Sequence, residues 1–172
     1  ALHFWESLGD LGRFAGTDVH LFSVPLVLLG ASGNWRYAGG RLTLSDGSFR
    51  LEDRQAVDRF RPLMARGAEL SLEDNLITST AQLREPRTDR VVTGLSLRHD
   101  LNTGRGGAQL TVDGLTFDAA LQPEALFPAA LGIVANTRGV VRGRGRIDWN
   151  EAGVTSSGRF SSDSLDFAAA LR

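Results

Sequence analysis

The only side chains of this sequence that titrate near neutrality are three histidines, His3, His20 and His99. They are scattered, without the H-E-x-x-H spacing that sets two imidazoles on one helix face around a zinc ion. His99 precedes Asp100, the residue types of a base and its orienting carboxylate, yet no G-x-S-x-G nucleophile elbow accompanies them. The pair reads as the polar end of a strand. Asp148, Glu151 and Asp163 are the carboxylates from which a glycoside-cleaving pair would be drawn, but they fall where turns are expected and read as turn residues. Gly104-Arg105-Gly106-Gly107 and the series Arg142, Arg144, Arg146 have the Arg–Gly composition that tracks phosphate backbones. Those three arginines alternate strictly, however, as one solvated face of a strand does and a disordered Arg–Gly tail does not. Gly143-Arg144-Gly145 lacks the third glycine and the following helix of a dinucleotide fingerprint. The chemistry-bearing residues thus give no catalytic site, no metal site and no cofactor, and the expectation is a protein that is not an enzyme.

Composition points the same way. The chain has 172 residues, enough for one domain with a real core, and a net charge of −1, which gives no overall field for nucleic acid or anionic membrane. Every basic residue is Arg. Cysteine is absent, so neither disulfides nor thiolate metal sites arise. Glycine makes up 20 of 172 residues against roughly 7% in average proteins, and it falls at turns or inside alternating stretches, which favours a β-rich chain. The longest apolar run, Val24 to Ala31, is far short of the roughly 20 residues of a membrane-spanning helix. The absence of an initiator Met, a signal peptide and a stop signal suggests a piece of a longer protein.

The elements that would position any functional residue are strands. Asn136 to Phe160 reads as a long hairpin with chemically opposite faces: Gly139, Val141, Gly143, Gly145, Ile147 and Trp149 on one, Arg138, Arg142, Arg144, Arg146 and Asp148 on the other. A four-residue turn at Asn150-Glu151-Ala152-Gly153 pairs Trp149 with Val154, Ile147 with Ser156, Gly145 with Gly158 and Gly143 with Phe160. The last pair lays an aromatic ring over a cross-strand glycine. Earlier, Asp46-Gly47 predicts a type I′ hairpin pairing Leu44 with Phe49 and Leu42 with Leu51. Asp74-Asn75 predicts another, with Leu72 facing Ile77, Leu70 facing Ser79 and Ala68 facing Ala81. A third joins Val91–Arg98 to Gly107–Val112 across His99 to Gly106, with Leu95, Leu97, Leu110 and Val112 on one face. Residues 1–33 carry the weakest pattern, with leading strands near Leu2 to Trp5 and at Val24 to Leu29. Ala56 to Arg66, broken by Pro62, reads as a strand or a helical turn. One short helix is expected within 121–132, from Pro123 to Leu131, stopped by Gly132 and shortened or kinked by Pro128. Asp163 to Arg172 starts another apolar strand or helix.

Hairpins starting near residues 41, 67, 91 and 138 form a loose repeat of the kind that stacks into an extended array. With so little helix to cover the apolar faces, the expected fold is mainly β: a curled antiparallel β-sheet, a repeating, taco-like β-groove with one short helix, making 1–172 a single segment. A sandwich or barrel closed on itself is the alternative.

Several of these stretches resemble one family. The run L-Q-P-E-A-L-F-P-A-A-L-G-I-V-A-N from Leu121, then G-x-V-x-G-x-G-R-I-D-W from Gly139, and G-V-T-S-S-G-R-F-S-S-D-S-L-D-F-A-A-A from Gly153 are similar to the C-terminal half of the YdbH family of AsmA-like proteins. So are G-x-W-R-Y-A-G-G-x-L-x-L from Gly33 and L-x-D-N-x-I-T from Leu72, so that the resemblance spans Gly33 to Leu171. It implies a segment of a periplasmic bridge that carries phospholipids from the inner toward the outer membrane along an apolar β-groove. It also implies an inner-membrane anchor outside this segment and an outer-membrane lipoprotein partner, and it brings no catalytic residue. The lipid-contacting residues expected on that basis are Leu42, Leu44, Phe49, Leu51, Leu70, Leu72, Ile77, Leu95, Leu97, Leu110, Val112, Ile147, Trp149 and Phe160. The alternative function is a structural or adhesive β-sandwich or solenoid domain without a lipid ligand, in which the same face is core.

Overall fold

The computed structural model describes residues 13–21, 26–53, 60–130, 134–162 and 164–169. Ten strands form one antiparallel sheet: β1 (Arg13–Leu21), β2 (Leu26–Ala38), β3 (Arg41–Asp53), β4 (Leu63–Glu73), β5 (Leu76–Arg84), β6 (Val91–Asp100), β7 (Gly106–Phe117), β8 (Val134–Asn150), β9 (Gly153–Ser162) and β10 (Asp166–Ala169). Each strand from β1 to β8 pairs with its sequence neighbours. The far side of β8 carries β9 along its C-terminal half and β10 along its N-terminal part. The sheet is open, with β1 at one edge and β9 and β10 sharing the other.

Each expected hairpin is decided by which residues tolerate a positive φ. Asp74 and Asn75, at φ 50° and 60°, make the turn between β4 and β5, and Leu72 faces Ile77 and Leu70 faces Ser79 as the pattern predicts. Ala81 lies opposite a bulge at Gly67 and Ala68 rather than opposite Ala68 alone. The β8–β9 hairpin has all four predicted pairs. Asp46-Gly47 is a correction: it is not a turn but lies inside β3, where Leu44 pairs with Trp35 on one side and Leu70 on the other. The turn falls instead at Gly39 and Gly40, whose φ of 60° and 77° needs no Cβ-bearing residue to be strained.

What Asp46-Gly47 does is insert one extra residue. From Leu44 to Gly47 is three steps along β3, while their partners Leu70 and Ala68 are two apart on β4. Strict alternation would send Leu42 and Leu44 to one face and Phe49 and Leu51 to the other. The bulge flips the parity, and all four are buried together. Similar register shifts occur in β2, in β4, in β6 at Val92 and in β7 between Val112 and Leu115. Bulges bend a strand and increase its twist, and here they curl the sheet. Phe49 on β3 and Phe160 on β9 line one cavity, although six strand spacings of about 4.8 Å would hold them about 29 Å apart in a flat sheet.

The expected helix is also corrected. Pro123–Ala125 and Pro128–Ala130 are two separate 3-10 turns. Pro128 has no N–H to donate to the carbonyl of Glu124, so an α-helix cannot run through it. The segment 118–130 is instead a strap across one end of the curled sheet. Leu121 and Leu126 are 0% and 1% exposed, and at about 1.5–3 kcal/mol per buried leucine they supply most of its attachment. Hydrogen bonds then fix its place. The Arg61 N–H donates to the Leu126 carbonyl at 2.8 Å, its Nε donates to the Glu124 carbonyl at 2.9 Å, and Gln122 exchanges two bonds with the Thr137 backbone.

Several expectations fall outside the described residues: Leu2 to Trp5, Val24 and Pro25, 56–59 within Ala56 to Arg66, Gly132, and Asp163. Of the strand or helix expected from Asp163 to Arg172, the described part is a strand, β10.

Candidate functional site

Curling leaves a groove of about 900 Å³ along the concave face, at the upper end of the 300–1,000 Å³ typical of ligand pockets. Eleven of the fourteen residues singled out from the sequence line it: Phe49, Leu51, Leu70, Ile77, Leu95, Leu97, Leu110, Val112, Ile147, Trp149 and Phe160. Leu42, Leu44 and Leu72 do not. They are packed into the core beside Trp35 on β2 to β4, between 0% and 4% exposed. The three lie on the stretches of β3 and β4 next to the Gly39-Gly40 and Asp74-Asn75 turns, where Leu44 pairs with Trp35 and Leu42 with Leu72.

The lining also takes in Leu63, Leu83, Val92, Leu115, Phe117 and Leu126, which sequence patterning missed. Leu115 and Phe117 follow the bulge after Val112, so their parity is out of step with the alternation before it. The signal was present as a spacing of three between apolar residues, with Gly114 between them.

Two of the hydroxyls on this surface are engaged by backbone carbonyls. Ser79 Oγ donates to the Glu69 carbonyl at 2.9 Å, and Thr93 Oγ1 donates to the carbonyls of Gly94 and Thr111 at 2.8 and 3.2 Å. Among the described residues no titratable side chain lines the groove. Such a surface is suited mainly to contact with another apolar body.

At the strap end, Arg90 holds Asp118 through two parallel bonds of 2.9 and 2.8 Å. That fork keeps the Asp118 carboxyl at about 2, well below the usual carboxylate range. In the preceding turn, the Glu85 carboxylate accepts from the Arg87 N–H and from both the N–H and the hydroxyl of Thr88, bonds that outweigh its burial and hold its pKa down. Arg87 also donates to the Ala120 carbonyl.

At the other end His99 and Trp149 close the wall. Trp149 Nε1 donates to His99 Nδ1 at 3.0 Å, with His99 4% exposed, so the imidazole is neutral and carries its proton on Nε2. Burial lowers its pKa. The cross-strand partner of Trp149 is Gly106, where a Cβ would come 2.7 Å from the indole. Because the folded pKa lies below the unfolded value of about 6.5, the unfolded chain takes up protons first as pH falls. Stability is therefore expected to decline below about pH 6.5, together with a change in Trp149 fluorescence, since an imidazolium cannot accept the indole bond. Thermal melts at pH 7.5 and 5.5 check this. A His99→Gln variant with the same pH dependence would assign the effect elsewhere.

The other candidates for chemistry fall to structural roles. Asp100 accepts from the N–H groups of Asn102 and Thr103 in its own turn. Asp148 is forked by Arg146 at 2.9 and 3.0 Å and its pKa is lowered by that bond. Glu151 is in the β8–β9 turn, and Asp163 and His3 lie outside the described residues. The arginines of β8 face away from the groove, on the convex side.

Along the open side, Phe160 lies across glycines. A Cβ on Gly143 would collide with the Arg159 carbonyl and sit 2.5 Å from Phe160 Cδ1, and one on Gly158 would be 2.8 Å from Phe160 Cε2. The ring thus occupies the space that the missing side chains leave, and at 57% exposed it forms the lip of the groove.

A family model described as YdbH-like, intermembrane phospholipid transport protein YdbH, matches residues 4–171. No curated protein and no solved structure matches the chain.

Proposed function

Because this chain belongs to the YdbH-like family of intermembrane phospholipid transport proteins, we propose that its concave face is the lane along which the acyl chains of phospholipids travel. The observation that carries the reading is the groove itself, apolar from Phe49 to Phe160 and, among the described residues, lined by no titratable group. Burying one methylene gains about 0.8 kcal/mol, so a long acyl chain is held by many small, non-directional contributions. A shift from one register to the next exchanges like contacts for like, and the barrier to sliding stays low. No bond is made or broken in this scheme, and the protein acts as a conduit and not as an enzyme.

In the full reading the chain is a segment of a periplasmic bridge between inner and outer membrane, with an inner-membrane anchor and an outer-membrane lipoprotein at opposite ends. No helix among the described residues is long and apolar enough to cross a membrane. Native mass spectrometry of the purified chain tests the lane directly. Adducts of phospholipid mass are expected, and they should exchange when a different phospholipid is supplied. A chain that remains bare after mixing with phospholipid micelles would make the concave face ordinary core and favour a structural β-domain.

A further inference from the structure

Arg144 and Arg159 stand directly opposite one another across the β8–β9 pair, on the convex side. Both are exposed. Their neighbour Arg146 is occupied by Asp148, whereas among the described residues no ion pair or hydrogen bond engages the side chain of Arg144 or Arg159. Like charges facing each other on adjacent strands repel, and among the described residues no carboxylate pairs with either. The two guanidinium groups border a depression of about 670 Å³ together with Gln109, Thr111 and Ser157. The register places all five side chains on the same face, because Thr111 pairs with Arg144, Gln109 with Arg146 and Arg146 with Ser157. Two forked cations with uncommitted hydroxyl and amide donors match a tetrahedral oxyanion, which accepts from guanidinium groups in parallel pairs and cancels their repulsion.

Location selects the anion. β9 is an outer strand, so Arg159 stands at the border where the groove opens, and the next residue, Phe160, lines the groove on the other face. A lipid whose tail lies against Phe160 has to turn over a single strand, about 5 Å wide, to bring its headgroup to Arg159. We propose that Arg144 and Arg159 form a binding site for the phosphate of a phospholipid whose acyl chain occupies the groove. The site rests on the transport reading above and adds to it a polar contact that every phosphate-bearing headgroup shares, whatever its outer substituent.

The test compares dioleoylphosphatidylglycerol with dioleoylglycerol, the same two chains without the phosphate, titrated onto the wild-type chain and onto R144Q/R159Q by native mass spectrometry. Charge-assisted bonds of this kind correspond to about a ten- to hundredfold preference for the phospholipid. The double variant is expected to lose that preference while holding dioleoylglycerol as before, with an unchanged circular dichroism spectrum. Equal affinities in the wild type, or a preference that survives in the variant, would overturn the phosphate site and leave the acyl lane standing. Failure of both lipids to bind the wild type would overturn the lane and the site together. A single-stranded RNA oligonucleotide that binds the wild type and not the variant would assign the arginines to nucleic acid and overturn the lipid assignment.

Discussion

Leu110→Asp should abolish phospholipid loading while leaving the sheet assembled. Leu110 lies in mid-groove on β7, between Leu95 of β6 and Gly145 of β8, and it is only half-buried because its side chain faces the cavity and not a packed neighbour. Without lipid, water in the open groove hydrates an aspartate there. With lipid, the carboxylate must be stripped of water against acyl chain, which costs several kcal/mol. Leu97→Asp should block loading in the same way but also lower stability, since Leu97 packs against the Ala108–Trp149 cluster. Adduct formation in native mass spectrometry and the thermal melt separate the two effects. A folded Leu110→Asp chain that loads phospholipid normally would remove the concave face from transport.

Gly143→Val is the second change expected to act strongly. The added Cβ meets backbone, the Arg159 carbonyl and Phe160 Cα at 2.8 Å, besides the ring at 2.5 Å. A ring can swing aside, but the carbonyl and Cα move only if β9 shifts with them. Overpacking of this sort costs about 1–3 kcal/mol, and here it falls on an edge strand bound on one side only, so β9 should detach locally and carry Phe160 off the lip. Loss of lipid loading is expected, with increased hydrogen exchange along β9. Val140→Ala, on the opposite face of the same strand, should be mild in both measurements. Equal harmlessness of the two substitutions would mean that the glycine–phenylalanine arrangement is dispensable.

The sequence carried the β8–β9 hairpin in full because everything that sets its register is local: a turn of four residues, strict alternation and a glycine, Gly143, opposite Phe160. The Asp74-Asn75 turn was legible for the same reason. Asp46-Gly47 has equally good turn chemistry and was misleading, because β3 is held from both sides and its long pairing with β2 and β4 outweighs a dipeptide preference. Bulges were the general difficulty. Whether an extra residue reverses a strand or merely flips its parity depends on partners that the strand's own residues do not name. That is why Leu115 and Phe117 were missed; Leu42, Leu44 and Leu72 were placed on the right face, but they are packed into the core and do not line the groove. The proline pair at Pro123 and Pro128 marked a short segment correctly and its type wrongly, since Pro128 was read as shortening or kinking a helix and instead divides the segment into two 3-10 turns.

The order of strands has a consequence for how such a protein is assembled and how it can change. From β1 to β8 every strand lies beside the one made just before it and the one made just after, so no pairing among them waits for a distant part of the chain. Growth of the sheet can keep pace with synthesis, each new strand finding its template already in place. The same arrangement makes length a separable property. Duplication or loss of one hairpin extends or shortens the groove without rethreading any connection, as in other arrays whose units touch only their neighbours.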